Sequence, residues 1–217
     1  MNFKFVDIGT SDFDIRAREI CSGEKILLVE PLFYYLRNLP DGEGIFKSNF
    51  AVSDECGFGK MYYVKSEIIK EYNLPDWFRG CNSLNYKHPT VVRILNKLKK
   101  PETLISAEEV RILSFRKLID IYGISSIDSL KIDTEGHDFV ILNDVYQSIL
   151  NGFSIREIQF EYIEEFDGVK DPFNCIPALK KHMELFDKIG FNKQIYEGWK
   201  YIMTNNSLIK NTDIKRK

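Results

Sequence analysis

The stretch LKIDTEGHDFVIL, residues 130–142, decides how this chain is read. Leu130 and Ile132 are apolar and run into polar residues, the pattern of a buried parallel strand reaching the carboxyl edge of its sheet. From Asp138 onward apolar residues return at Phe139, Leu142, Tyr146 and Ile149, the three-and-four spacing of a helix packed on one face. Asp133, Thr134, Glu135 and His137 therefore fall in a strand-to-helix crossing. Open α/β sheets bind ligands there, in the crevice beyond the carboxyl ends of their strands. Acids are also favoured at a helix start by its dipole, so Glu135 or Asp138 alone would carry no functional meaning. The cluster as a whole, with Lys131 on the approach, makes the stretch a candidate site.

Working back from it, residues 3–8 form an apolar, aromatic-rich run that breaks into Gly9-Thr10-Ser11, a strand feeding a turn. A helix is expected next: Phe13, Ala17, Ile20 and Cys21 share one face, Ser11 can cap with Asp14, and Gly23 can end it. A second apolar strand over 25–30 ends in Glu30 and is followed by Pro31. Glu30 lies 21 residues beyond Gly9, the interval at which nucleotide-binding α/β folds place a carboxylate for ribose hydroxyls. Leu32, Tyr35, Leu36 and Leu39 suit a short helix after Pro31, and residues 45–52 read as a third strand. Its tip, Ala51-Val52-Ser53-Asp54, is expected beside Glu30, where a base could rest. Met61 to Val64 reads as an extended partner.

Residues 74–101 loosen the pattern with Trp77, Arg79, Asn82, Asn85, Tyr86 and His88, then Val91, Val92, Leu95 and Leu98 on a short helix. This segment reads as an insertion, its rings and amides suiting either a hydroxylated ligand or a plain packed loop. His88, before a proline, reads as a surface residue. A brief strand over 110–113, a helix capped by Ser114 and ended by Gly123, and a strand over 155–162 follow, with Glu161 near the carboxyl end facing the same crevice. A helix from Asn174 or Pro177 carries His182 as a structural or exposed residue, and strands over 193–196 and 200–204 pair across Glu197-Gly198. The organisation expected is one domain over 1–204 and a polar, basic tail over 205–217.

The net charge of −2 gives no reason to expect nucleic acid as a partner, and no apolar run suits a signal peptide or membrane span, so a cytoplasmic protein is expected. Cys21, Cys56, Cys81 and Cys175 are too widely spaced for a CxxC zinc pattern or a small disulfide framework and read as reduced.

The alternation of strands and helices, the glycine turn and the closing hairpin suggest a doubly wound α/β sheet. Beyond spacing, VDIGTSDFD at 6–14, LVEP at 28–31, FAVSDECG at 50–57 and LKIDTEGHDFVIL at 130–142 resemble, in order, the motifs of the FkbM-type methyltransferases. The resemblance spans roughly residues 5 to 162, and the last motif, close to K-I-D-x-E-G-x-E, is its most specific part. It implies a seven-stranded, mostly parallel Rossmann-like sheet with a C-terminal antiparallel hairpin. It also implies S-adenosylmethionine as cofactor and methyl transfer to a hydroxyl of a sugar, glycan or secondary metabolite. Position by position, Asp7 and Gly9 match the first motif, which shapes the cofactor turn that Thr10 and Ser11 continue, Glu30 matches the ribose acid, with Pro31 beside it, and Ser53 and Asp54 match the region near the adenine. Lys131, Asp133, Glu135 and Gly136 match the reaction centre. Asp138 replaces the usual Glu, His137 replaces a small residue, and Thr10, Ser11 and Asp12 depart from the first motif. The chain begins almost on that motif, so the insertion, a partner or a preceding domain is expected to cover the site.

Methyl transfer asks for alignment of the acceptor oxygen, worth about 7–11 kcal/mol in favourable cases, and for removal of a proton, worth about 10²–10⁴-fold in rate. Asp133 or His137 is expected as the base, Glu135 as its orienting partner, with Lys131 stabilising negative charge. Asp133, Glu135 and Glu161 could alternatively hold magnesium or calcium, although no metal ligand is assigned. A nicotinamide oxidoreductase would want a fuller GxGxxG than GTSDFD, a binding module without activity would have lost its acids, and a nucleic-acid methyltransferase would need a basic face.

Overall fold

The structure is a computed structural model that describes residues 1–12, 21, 23–162, 165–166, 169–171, 173, 175–196 and 200–205. The helix expected over 13–21, the turn at 197–198 and the tail over 206–217 lie outside the described residues, Cys21 apart.

Thirteen strands are described: β1 (Asn2–Ile8), β2 (Ile26–Val29), β3 (Ile45–Ser48), β4 (Ala51–Ser53), β5 (Gly57–Tyr63), β6 (Ser83–Leu84), β7 (Ser106–Ser114), β8 (Ser126–Ile132), β9 (Ser154–Glu161), β10 (Glu165–Phe166), β11 (Val169–Lys170), β12 (Phe191–Tyr196) and β13 (Lys200–Asn205). The helices are α1 (Phe33–Leu36), α2 (Ser66–Glu71), α3 (Pro89–Lys97), α4 (Phe115–Ile121), α5 (Asp138–Leu150) and α6 (Ile176–Lys188), with a 3₁₀ turn at Asp76–Arg79. Asn205 belongs to the last strand rather than to a tail.

The main sheet has seven strands in the order β12-β13-β9-β8-β1-β2-β3. The five strands from β9 to β3 run parallel, and β13 is antiparallel to both β9 and β12. β1 and β2 are buried on both faces: Val6, Ile8, Leu27 and Val29 lie in one core with Leu130, Ile132, Ile158 and Phe160, and Phe5, Ile26 and Leu28 lie in another. Such two-sided burial explains the near-continuous apolar runs in VDI and ILLV. α5 buries Phe139, Ile141, Leu142 and Val145 in the same core, the face that its apolar spacing predicts. The chain builds β2 and β3 on one side of β1 and returns to lay β8 on the other. That reversal between β1 and β8 is the topological switch point, the place where doubly wound sheets bind ligands.

Two sequence expectations change. The single strand over 45–52 is two strands in different sheets: β3 closes the main sheet, while β4 joins β7, β5 and β6 in a four-stranded second sheet. The break falls at Asn49, whose amide donates to the carbonyls of Glu30 (3.1 Å) and Pro31 (2.7 Å), tying this corner to the end of β2. The brief strand expected over 110–113 is nine residues long as β7, because it pairs along the whole of β5. Residues 64–105 have a small core of their own, built from Val64, Ile69, Leu74, Phe78, Cys81, Val91 and Leu95. Leu98, expected on the buried face of α3, is 46% exposed.

Candidate active site and cofactor cleft

The site grows from two turns, one after β1 and one after β8, that touch at the switch point. Gly9 has φ +86°, and a Cβ placed there would lie 1.9 Å from the carbonyl oxygen of Asp133. Glycine is thus required twice over, for its left-handed backbone and for this close approach. The contact is fixed by Asp133 N–H donating to the carbonyl of Ile8 (2.9 Å) and Gly9 N–H to that of Val29 (2.9 Å). Ser11, also left-handed at φ 49°, turns the chain so that its N–H donates to Glu30 Oε2 at 2.8 Å. Leu32 N–H donates to the other oxygen of Glu30, again at 2.8 Å.

Glu30 is 2% exposed, and burial pushes its carboxyl up to about 7 against the pull of those two backbone donors. A carboxylate offers about four lone pairs, so each oxygen keeps one for a pair of vicinal hydroxyls. Around it lies a cleft of about 470 Å³, whose walls include Gly9, Pro31, Val52, Met61, Asp133 and His137. Phe50, Ala51 and Leu84 add apolar surface, and Gly80 and Asn82 come from the insertion. Its lining is the mix of apolar wall and few polar groups that a cofactor site needs.

The second turn runs Thr134-Glu135-Gly136-His137, closed by His137 N–H to the carbonyl of Thr134 at 3.4 Å. Glu135 and Gly136 have φ 53° and 95°, the pair of positive values that a type I′ turn demands. For Glu135 this conformation costs about 1–3 kcal/mol, the kind of strain that sites retain when their surroundings enforce it. Two insertion residues enforce it here. Tyr86 Oη donates to the carbonyl of Glu135 at 2.7 Å, and His88 Nε2 lies 2.9 Å from Glu135 Oε2. A Cβ on Gly136 would sit 2.5 Å from Tyr86 Oη and 2.7 Å from Phe173, so position 136 must be glycine for the clamp to close.

His88 therefore corrects the surface assignment: it is 3% exposed and is the N-cap of α3, its Nδ1 accepting from Val91 N–H at 3.4 Å. That cap keeps Nδ1 unprotonated, which puts the proton of the neutral ring on Nε2, facing Glu135. Burial agrees, pushing His88 down to about 4. Glu135 is pushed up by burial and by the nearby Asp133, with Lys131 opposing. Among the described residues, Cys81, His88 and Glu135 are the one group of possible metal ligands whose donor atoms lie within 4.8 Å of one another. A metal on Nε2 would require the proton on Nδ1, where Val91 N–H already donates, so the arrangement is that of a hydrogen-bonded pair. Asp133, Glu135 and Glu161, the alternative cation set, form no such group.

Lys131 bridges two acids, Asp7 Oδ1 at 3.4 Å and Asp133 Oδ2 at 3.2 Å. Register places it there: Asp7 is the partner of Lys131 across β1 and β8, and Asp133 is two residues further along the same face. His137 Nε2 is 3.0 Å from Ser53 Oγ, which in turn donates to Asp54 Oδ1 at 3.0 Å. Burial pushes His137 down, keeping the ring neutral. Asp138 begins α5, its Oδ2 accepting from the Thr134 hydroxyl at 3.0 Å, and burial pushes it up to about 7.

The structure thus brings Gly9, Ser11, Glu30, Pro31, Asp133 and His137 together on the cleft. Asp7, Thr10 and Lys131 brace it from behind: Thr10 is 2% exposed, its hydroxyl donating to the Ser11 carbonyl at 3.2 Å and its N–H to that of Val29 at 3.3 Å. Ser53 supports His137, and Asp54 is exposed. Glu135 is separated from His137; it faces a second cavity of about 340 Å³ on the other side of the turn, with Asp138, Glu161 and Phe173. From sequence, Tyr86 is expected only as one of the insertion's rings and His88 as a surface residue, and Phe173 is not singled out. The only local sign of His88 is its place before a proline that can open a helix.

No curated protein sequence matches the chain. Among solved structures, a candidate rRNA-methylase from Clostridium thermocellum superposes with a TM-score of 0.40 at 8% identity, covering 93% of this chain and 86% of that one. The family described as the methyltransferase FkbM domain matches residues 6–193. A match over most of the length, on the motifs that build both turns, establishes that this chain belongs to the FkbM methyltransferase family.

Proposed function

We propose that the chain is an S-adenosylmethionine-dependent O-methyltransferase whose acceptor is a hydroxyl of a sugar or glycan. One observation carries the reading: the two faces of a single turn line two cavities, Asp133 and His137 on the cleft with Glu30, Glu135 and Asp138 on the acid-lined cavity behind it. The cleft then takes the methyl donor and the acidic cavity the body of the acceptor, whose hydroxyl must reach past the turn to the methyl group.

The residues of the cleft fit the cofactor. Glu30 has lone pairs for both ribose hydroxyls, Gly9 lets the backbone approach closely, and Phe50, Ala51, Val52 and Leu84 offer apolar surface to an adenine. When bound, the cofactor supplies a sulfonium methyl already activated for in-line displacement. The chain must align an oxygen and accept its proton. His137 is turned towards Ser53, so its place is with the cofactor rather than with the proton. Glu135 is the better base: it lines the acceptor side, and His88 holds one of its oxygens. A carboxyl pushed up towards neutrality suits proton transfer near physiological pH.

Incubation with labelled S-adenosylmethionine and a panel of mono- and oligosaccharides tests this. A methyl ether product is expected, its rate reduced by about 10²-fold or more in Glu135→Gln with cofactor affinity unchanged. A product methylated on nitrogen or carbon, or full activity in Glu135→Gln, would reject it.

A further inference from the structure

The cavity behind the turn has an unusual lining for a sugar site. Its carboxylates are Glu135, Asp138 and Glu161, its rings are Phe139, Tyr162 and Phe173, and among the described residues no lysine, arginine or histidine lines it. Asp138 is 2% exposed, and its Oδ1 meets no hydrogen-bond donor among the described residues, although its Oδ2 is held by Thr134. A buried carboxylate oxygen without a donor is costly, and a donor brought by a ligand removes that cost. Lys131, whose charge reaches Glu135 and Glu161, is engaged by Asp7 and Asp133.

We propose that this cavity is a subsite for a ring-borne ammonium group, held by Asp138 and Glu161 and flanked by aromatic faces, so that the methyl acceptor is an amine-bearing molecule of the amino-sugar class. Carboxylates and aromatic rings together are the chemistry that recognises organic cations. The space between the carboxylates has only to hold the charged head, about the size of a water molecule, whereas a bare metal ion would need carboxylate oxygens converging on one point, and these three do not form such a group. The charge state also follows. Burial pushes Glu135, Asp138 and Glu161 all up, and the nearby Asp133 adds to each. A cation among them opposes both effects and favours the ionised form of Glu135 that a base needs. The proton acceptor is thereby readied by the acceptor's own charge.

The inference rests on the methyl-transfer reading only in calling the bound molecule an acceptor, so binding is tested on the full chain without cofactor. Ligand-observed NMR in chelator at neutral pH compares cyclohexylammonium with cyclohexanol, rings of one size differing in the charged group. The ammonium is expected to bind about tenfold or more tightly, the difference a charge-assisted bond supports. Glu161→Gln should remove most of that preference and Glu161→Asp should keep it. Equal binding of the two rings, binding of neither, or displacement of the ammonium by magnesium added to a second, chelator-free sample would overturn the proposal. A parallel titration with S-adenosylhomocysteine separates the failures: its absence of binding sinks the methyl-transfer reading, whatever the ammonium does.

Discussion

Tyr86→Phe isolates the clamp on the strained turn. The substitution keeps the ring and deletes one hydroxyl, whose bond to the Glu135 carbonyl is 2.7 Å long and part-buried. A neutral bond of this kind contributes about 0.5–1.5 kcal/mol, and a carbonyl left without its donor raises the loss towards 1–3 kcal/mol. Relaxation of the left-handed Glu135 recovers part of its strain, so a net loss of about 1–2 kcal/mol is expected. For a chain of this length that lowers the melting temperature by about 2–8 °C. Calorimetric melts of wild type and variant measure it, and amide exchange at Gly136 and His137 shows whether the turn is what loosens. Affinity for S-adenosylhomocysteine should change little, because Glu135 faces away from the cleft. An unchanged melting temperature with unchanged exchange would refute the idea that the insertion holds the turn in place.

Gly9→Ala sets a Cβ against the Asp133 carbonyl at a left-handed position and should cost at least about 2 kcal/mol, read as a melting temperature lower by about 5 °C or more. His137→Ala removes the contact with Ser53 on the cleft wall and should weaken S-adenosylhomocysteine about fivefold; a variant with intact affinity and collapsed turnover would restore His137 as the base. Glu30 and Asp138 carry pKa values raised to about 7 from ordinary values of 4.5 and 3.8, so each binds its proton more tightly folded than unfolded. Stability is then greatest below the unfolded values and is lost as pH rises through about 7, each group contributing up to about 1.4 kcal/mol per pH unit in that window. Denaturant melts between pH 4.5 and 7 should show this decline, with a shallower slope in Glu30→Gln; stability rising with pH across the window would contradict it.

What was legible in the sequence was whatever depends on local order. VDIG and ILLV are buried on both faces and so read as apolar runs, and the interval from Gly9 to Glu30 follows from one crossover between adjacent parallel strands. The turn at 133–138 was legible because polarity changes abruptly there. The apolar run over 45–52 was misread because periodicity does not report when a chain leaves one sheet for another; Asn49 makes that corner through bonds to residues 18 and 19 positions earlier. His88 escaped for the same reason. Its burial comes from Glu135, 47 residues away, and from the ring of Phe173, 5.0 Å distant. His137 and Glu135 are two residues apart in sequence yet face opposite cavities, which only the left-handed turn between them explains.

The central claim is that the cleft around Glu30 holds S-adenosylmethionine. Calorimetric titration with S-adenosylmethionine, S-adenosylhomocysteine and NAD, repeated on Glu30→Gln, tests it most directly. Both adenosyl ligands are expected to bind and NAD is not, with the variant binding them about 10- to 100-fold more weakly, the loss expected when charge-assisted bonds to two hydroxyls become neutral ones. Binding of NAD in place of the adenosyl ligands, or affinity indifferent to Glu30, would contradict it.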